Sequence, residues 1–261
     1  MQLPLFQVDA FAERVFAGNP AAVVPLEGPL DPALMQAVAA ENNLSETAFF
    51  HPEGDGFRLC WFTPVSEVDL CGHATLASAW TLFERLGWAR PEIVFETRSG
   101  RLVVRREADG LLAMDFPSRP PREVPWDEAL AAAAGGRPRA MLAARDAMLV
   151  YDSEEEVRAL VPDMAALARM AHYALIATAP GTGGVDFVSR FFAPKEGIPE
   201  DPVTGSAHCT LVPYWAVRLG RAGLEARQVS RRGGALRCRD RGTRIEIGGR
   251  CKLYMEGRIH V

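Results

Sequence analysis

The chain opens with LPLFQVDAF, in which apolar and polar residues alternate as in a half-buried strand. After the turn Gly18-Asn19-Pro20 the run AAVVPL reads as its partner, so residues 1–26 predict a β-hairpin. At Asp31-Pro32 the period changes. Leu34, Met35, Val38 and Ala39 give one apolar face to a helix that Asp31 caps and Asn42-Asn43 ends. Strands follow at ETAFFHP and FRLCWFTP, joined by Glu53-Gly54-Asp55-Gly56. From Gly72 to Gly87 a second helix is apolar nearly all round, with Leu76, Ala79, Trp80 and Phe83 at spacings of three and four. That suits a helix enclosed by sheet rather than one lying on it. Strands EIVFETRSG, RLVVRREADG and LLAMDFP complete this half.

The stretch FPSRPPREVP, from Pro117 to Pro125 in its proline run, is stiff and polar and marks a boundary. The expected division is a first lobe of residues 1–117, with the last C-terminal strand a candidate to join it, and a second lobe of residues 118–261. The second half predicts strands at AMLAARDAMLVY, a helix from Pro162 to Met170, strands at YALIATAP and DFVSRFFAP, a helix from Gly205, and further strands. Laid over one another from Gly72 and Gly205, the halves agree without a gap up to Gly87 and Gly220. Arg85-Leu86-Gly87 answers Arg218-Leu219-Gly220, and Phe62-Thr63-Pro64 answers Phe192-Ala193-Pro194. We read this as an internal repeat. Two such halves related by a pseudo-twofold are expected to bring both helix N-termini to one cleft, where backbone N–H groups and the helix dipoles favour a carboxylate or a developing enolate.

Composition narrows the partners. The 261 residues are 48% hydrophobic and 24% charged with a net charge of -4, which suits a folded globular chain and gives no electrostatic case for nucleic acid. The arginines between Arg227 and Arg241 alternate without aromatics to stack on bases and read as a solvated strand pair. Cys60, Cys71, Cys209, Cys238 and Cys251 are odd in number and contain no Cys-x-x-Cys pair. This argues against a disulfide framework and a structural zinc site and fits a reducing cytoplasm. No apolar window is long enough to span a membrane, and MQLPLFQVDAFAE has no basic leader, so neither membrane insertion nor secretion is expected. The set Cys71, His73, His208 and Cys209 has irregular spacings and does not read as a metal centre, and Pro180-Gly181-Thr182-Gly183-Gly184 precedes a strand, so it reads as a hairpin turn rather than a phosphate loop.

Four segments in order, FQVDAFAERVFAGNPAAVV, ENNLSETAFF, DLCGHATLASAW and EDPVTGSAH, resemble the PhzF family of phenazine-biosynthesis-type isomerases over essentially the whole chain. The resemblance implies an α+β fold of the diaminopimelate epimerase type: two pseudo-symmetric lobes, each a mixed sheet rolled around a central helix. It implies a homodimer and a small carboxylate-bearing substrate, with no organic cofactor or metal. Carried onto this sequence, it makes Glu46 in LSETAF the acid/base group, with His73 and Asp201 as its catalytic partners. Asn19, Gly72, Gly205 and Ser206 would line the same pocket. From the residues alone, Glu46 also reads as a solvated strand-start glutamate, His73 as a structural histidine and Asp201 as a turn cap. The dipole at Gly72 is expected to keep His73 neutral, fitting it for hydrogen bonding and proton positioning. Cys71 carries the competing chemistry, since related racemases place one thiol on each side of the substrate carbon. The position matching Cys71 in the second half is Thr204, whose hydroxyl is no substitute for a thiolate, so Cys71 reads as a small packed residue.

Overall fold

The computed structural model describes residues 1–261. The chain divides into two compact units, residues 1–115 with 248–261 and residues 116–247. The first contains β1 (Gln2–Ala10), β2 (Asn19–Pro25), α1 (Pro32–Asn42), β3 (Glu46–Glu53), β4 (Gly56–Phe62), β5 (Glu67–Val68), α2 (Gly72–Glu84), β6 (Glu92–Thr97), β7 (Gly100–Arg106) and β8 (Leu112–Pro117). Its sheet begins with the C-terminal strand Cys251–His260, which runs antiparallel to β1 from Ala10↔Cys251 to Gln2↔His260. Beyond β1 the succession is β2 antiparallel, β3 parallel, β4 antiparallel, β6 parallel and β7 and β8 antiparallel.

The two helices of this unit sit on opposite faces of the sheet because the strands are apolar on both. Ala22 and Val24 of β2 and Phe49 of β3 pack with Met35, Val38 and Ala39 of α1. The residues between them, Ala21, Val23 and Ala48, point the other way, toward the side where α2 packs on β1, β2 and β3. Helix α2 is buried over His73–Ala79 and Thr81–Phe83. A helix with no wet face must satisfy its own hydroxyls, and this one does. Thr75, Ser78 and Thr81 donate to the carbonyls of Cys71, Ala74 and Ala77 at 2.6, 2.8 and 2.9 Å.

The second unit contains β9 (Arg122–Glu123), α3 (Glu128–Ala134), β10 (Ala140–Ala143), β11 (Ala147–Val150), α4 (Glu154–Ala159), α5 (Met164–Leu167), β12 (Leu175–Pro180), β13 (Phe187–Phe192), α6 (Gly205–Leu219), β14 (Gly223–Gln228) and β15 (Gly234–Asp240). From β10 the pairings run β11 antiparallel, β12 parallel, β13 antiparallel, β14 parallel and β15 antiparallel, the succession that β1 to β7 show without the short β5. Helix α6 stands between β13 and β14 as α2 stands between β4 and β6 in the chain. Its interior Pro213 cannot donate to Cys209, and the carbonyl so released accepts the Arg119 N–H at 2.8 Å. The arginine-rich segment forms the β14–β15 hairpin, with Leu224, Ala226, Gln228, Leu236 and Cys238 inward and the arginines outward. The glycine-rich run after Pro180 is the turn between antiparallel β12 and β13.

Several elements differ from the sequence reading: the two-residue strands β5 and β9 were not anticipated, β9 pairing with β10 from within the proline-rich stretch read as a boundary unsuited to a ladder. The helix expected over Pro162 to Met170 is the single turn Met164–Leu167, while α3 and α4 were not anticipated. Both are short and begin on side-chain caps, Asp127 to the Leu130 N–H and Ser153 to the Glu156 N–H. No helix is long and apolar enough to cross a membrane, and all five cysteines are free thiols.

Candidate active site

The β1–β2 turn places the first site residue. Gly18 has φ +68, and a Cβ there would lie 2.1 Å from the Ala10 carbonyl oxygen, so only glycine fits. The next residue, Asn19, starts β2 fully buried, two positions before Ala21 and therefore on the same face. Ala21 pairs with Glu46 across the parallel β2–β3 ladder, and Glu46 shares its face with Ala48. Both polar side chains thus enter the side on which α2 begins, at Gly72 with Cys71 as N-cap and His73 in its first turn.

The convergence is close. Glu46 Oε2 lies 3.1 Å from His73 Nε2, with side-chain exposures of 12% and 6%. Asn19 Nδ2 lies 3.2 Å from His73 Nδ1, and the Cys71 sulfur is 3.5 Å from Nδ1. Of the residues singled out in sequence, the structure brings together Asn19, Glu46, Gly72 and His73, with Cys71 against them.

The protonation of this group departs from expectation at His73. Burial works against the charged imidazole, but the neighbouring Cys71 sulfur and Glu46 carboxylate outweigh it and hold the ring's pKa well above its ordinary 6.5. Burial, reinforced by Glu46 and partly offset by His73, pushes the Cys71 thiol up to about 11. The charge on the ring is therefore coupled to both neighbours, the Cys71 sulfur and the Glu46 carboxyl. The helix dipole, weighed alone, had favoured neutral His73; a full charge at 3.1 Å outweighs a partial one. An imidazolium donates from both nitrogens. Nε2–H then serves Glu46, while Nδ1 faces the Asn19 amide nitrogen at 3.2 Å, so a charged ring needs that amide turned to present its oxygen.

Asp201, Gly205 and Ser206 belong to the second unit, on the loop and first turn that lead through Thr204 into α6. The Thr204 hydroxyl donates to Asp201 Oδ2 at 2.5 Å. Sequence reading missed Gln228, which locks this loop: fully buried, it accepts the Thr204 N–H at 2.8 Å and donates to the Asp201 carbonyl at 2.7 Å. The signal was its inward parity with Leu224 and Ala226 on β14. Gly205 opens α6, Ser206 follows half-buried, and Thr204 occupies the N-cap as Cys71 does in α2; neither cap uses its side chain on the helix.

His208 and Cys209 lie inside α6. Burial pushes the His208 pKa down to about 4, and its Nδ1–H donates to the Thr204 carbonyl at 2.8 Å. An unfolded histidine titrates near 6.5, so below that pH the unfolded chain takes up a proton the folded one refuses. Stability should fall by about 3 kcal/mol between about pH 6.5 and pH 4 on this account. Urea unfolding of His208→Met across that range should show a correspondingly shallower pH slope. An unchanged slope would mean that His208 is not the group responsible.

With this geometry in place, comparison with known proteins is informative. The PhzC-PhzF family, described as phenazine biosynthesis-like protein, matches residues 8–257. Two proteins of Pseudomonas aeruginosa, each named an uncharacterized isomerase, are 50% and 52% identical, both comparisons covering 100% of this chain and 100% of the relative. The crystal structure of a PhzF family protein from Enterococcus faecalis superposes with a TM-score of 0.98 at 46% identity, covering 100% of each chain. The α+β fold of the diaminopimelate epimerase type, implied by the sequence resemblance, is the fold of this chain. On the span and strength of these matches, the chain belongs to the PhzC-PhzF family of phenazine biosynthesis-like proteins.

Proposed function

We propose that this protein is an isomerase that moves a proton between two carbons of a small carboxylate-bearing molecule, with Glu46 as the group that takes and returns it. The name isomerase on relatives at 50% and 52% identity supports the reaction class. The observation that carries the reading is the largely buried Glu46–His73 pair at 3.1 Å, at the first turn of α2.

In the proposed cycle the Glu46 carboxylate accepts a proton from a substrate C–H. The electron pair of that bond delocalises toward the substrate carboxylate, and Glu46, whose carboxyl proton exchanges with solvent while the enolate persists, then protonates a different carbon. His73, charged and hydrogen-bonded, holds the Glu46 carboxylate in one orientation and supplies positive charge as the enolate forms. The N–H groups at the start of α2, Gly72 included, suit the substrate carboxylate. Asn19 fixes the ring of His73. The assignment of Asp201 to a substrate amine or hydroxyl, and of Gly205 and Ser206 to substrate binding, rests on their motif matches. No step needs an organic cofactor.

A cysteine racemase mechanism is the competing reading. It is disfavoured by the Cys71 thiol near 11 and by Thr204 at the matching cap. The shared succession of pairings in the two units supports reading them as a repeat, and free cysteines suit a reducing cytoplasm. The test is solvent-deuterium incorporation into a panel of small unsaturated and amino carboxylic acids. Label gained at carbon in at least one acid is expected, and silence across a broad panel would point to a ligand-binding protein instead.

A further inference from the structure

The side chains at the start of α2 have a second chemical capacity, distinct from the Cys71, His73, His208 and Cys209 set that the sequence spacing disfavoured. Glu46, Cys71 and His73 each offer one ligand atom, and these atoms lie within 4.8 Å of one another. Tetrahedral zinc, with bonds of about 2.0–2.3 Å to nitrogen, oxygen and sulfur, separates its ligand atoms by about 3.3–3.6 Å. Here Oε2 and Nε2 are 3.1 Å apart, and the sulfur lies 3.9 Å from Nε2. The third separation, sulfur to carboxylate oxygen, is within 4.8 Å, so displacements of about 1 Å would complete that geometry.

We propose that Glu46, Cys71 and His73 form a binding site for zinc, an inhibitory ion that takes the place of the proton these groups share. The donor set decides the metal. One thiolate, one imidazole and one carboxylate suit a borderline-soft ion, whereas magnesium and calcium require oxygen ligands throughout. Three protein ligands leave a fourth position open to water. Asn19 supplies the outer contact: with Nε2 on the metal, Nδ1 carries the ring proton, and the Asn19 amide, 3.2 Å away through its nitrogen, would turn its oxygen to accept it. Binding releases the thiol proton and the ring proton to solvent and occupies the Glu46 oxygen. Only its inhibitory consequence rests on the proton-transfer reading; the binding itself does not.

Cobalt(II) is the direct probe, because a thiolate ligand gives a sulfur-to-cobalt charge-transfer band and tetrahedral geometry gives strong visible absorption. The full-length protein, stripped with EDTA and titrated with cobalt, should develop both at one ion per chain, and equimolar zinc should bleach them while magnesium does not. Cys71→Ser should lose the charge-transfer band. Asn19→Ala should keep it but bind zinc roughly ten- to a hundredfold more weakly in competition with a chromophoric chelator. Circular dichroism identifies any variant that fails to fold, and the wild-type titration stands without the variants. No tetrahedral absorption in the wild type, or a charge-transfer band that survives in folded Cys71→Ser, would overturn the proposal.

Discussion

Glu46→Gln is expected to lower solvent-deuterium exchange into the substrate by roughly three to four orders of magnitude, the upper part of the range for losing a positioned acid/base group. The amide has nearly the volume of the carboxylate and can still meet His73, so the fold should survive and the loss should fall on the chemical step. Two linked changes sharpen the test. Without the carboxylate, one of the two neighbours that hold the His73 pKa up against burial is gone, so the ring's pKa should fall. A 13C- or 15N-labelled histidine spectrum of the variant should report that change directly. His73→Gln, by contrast, leaves the carboxylate in place without its cationic partner, so exchange should be slowed rather than lost. Equal loss in both variants would mean that the proton passes through the pair as a unit, with neither residue the carrier alone.

Gly18→Ala should be the most damaging single methyl in the first unit. The added carbon would sit 2.1 Å from the Ala10 carbonyl oxygen and 2.9 Å from the Ala12 Cβ, on a residue already at φ +68. Neither neighbour is a flexible side-chain end. The β1–β2 turn must therefore shift, at an expected cost of about 3 kcal/mol or more. Asn19 directly follows, so the displacement carries into the residue that orients His73. Urea denaturation should show the loss of stability, and any protein that remains folded should show weakened cobalt absorption as well. A variant as stable as wild type would contradict the assignment of this turn as sterically closed. Gly54→Ala, where the φ of +58 is similar but nothing lies within 4 Å, is the control that separates the clash from the backbone preference.

Much of this fold was legible because its elements announce themselves locally. Asp31 accepts the Ala33 N–H and Asn43 closes α1 in the left-handed region, the two ends that Asp31-Pro32 and Asn42-Asn43 had indicated. The enclosure of α2 and α6 followed from their all-round apolarity. Short elements escaped for a physical reason. Helix α4, EEEVRA, buries only Glu154 and Val157, so no apolar period can register within it, and α3 is nearly all alanine. For such helices the cap is the only strong signal, and Ser153 with Glu156 had carried it.

The site was legible in parts. Glu46 and His73 were singled out through the family resemblance, since no local pattern links residues this far apart in sequence; the β2–β3 register and the position of α2 do so in space. The expectation of a neutral His73 weighed only the helix end, which is visible in sequence; a carboxylate facing the ring from another element is not. Gln228 was hidden inside a run that drew notice for its arginines. Strand alternation alone assigns it inward, where a buried amide must find several partners, and it finds Thr204 and Asp201.

The account's central claim is that one carboxylate, and not a thiol, carries the proton. The most direct measurement is solvent-deuterium incorporation at the substrate carbon by Cys71→Ala and Glu46→Gln side by side at neutral pH. Exchange near the wild-type rate in Cys71→Ala and almost none in Glu46→Gln is the predicted result. Loss of exchange in Cys71→Ala together with its persistence in Glu46→Gln would contradict it and assign the chemistry to the sulfur.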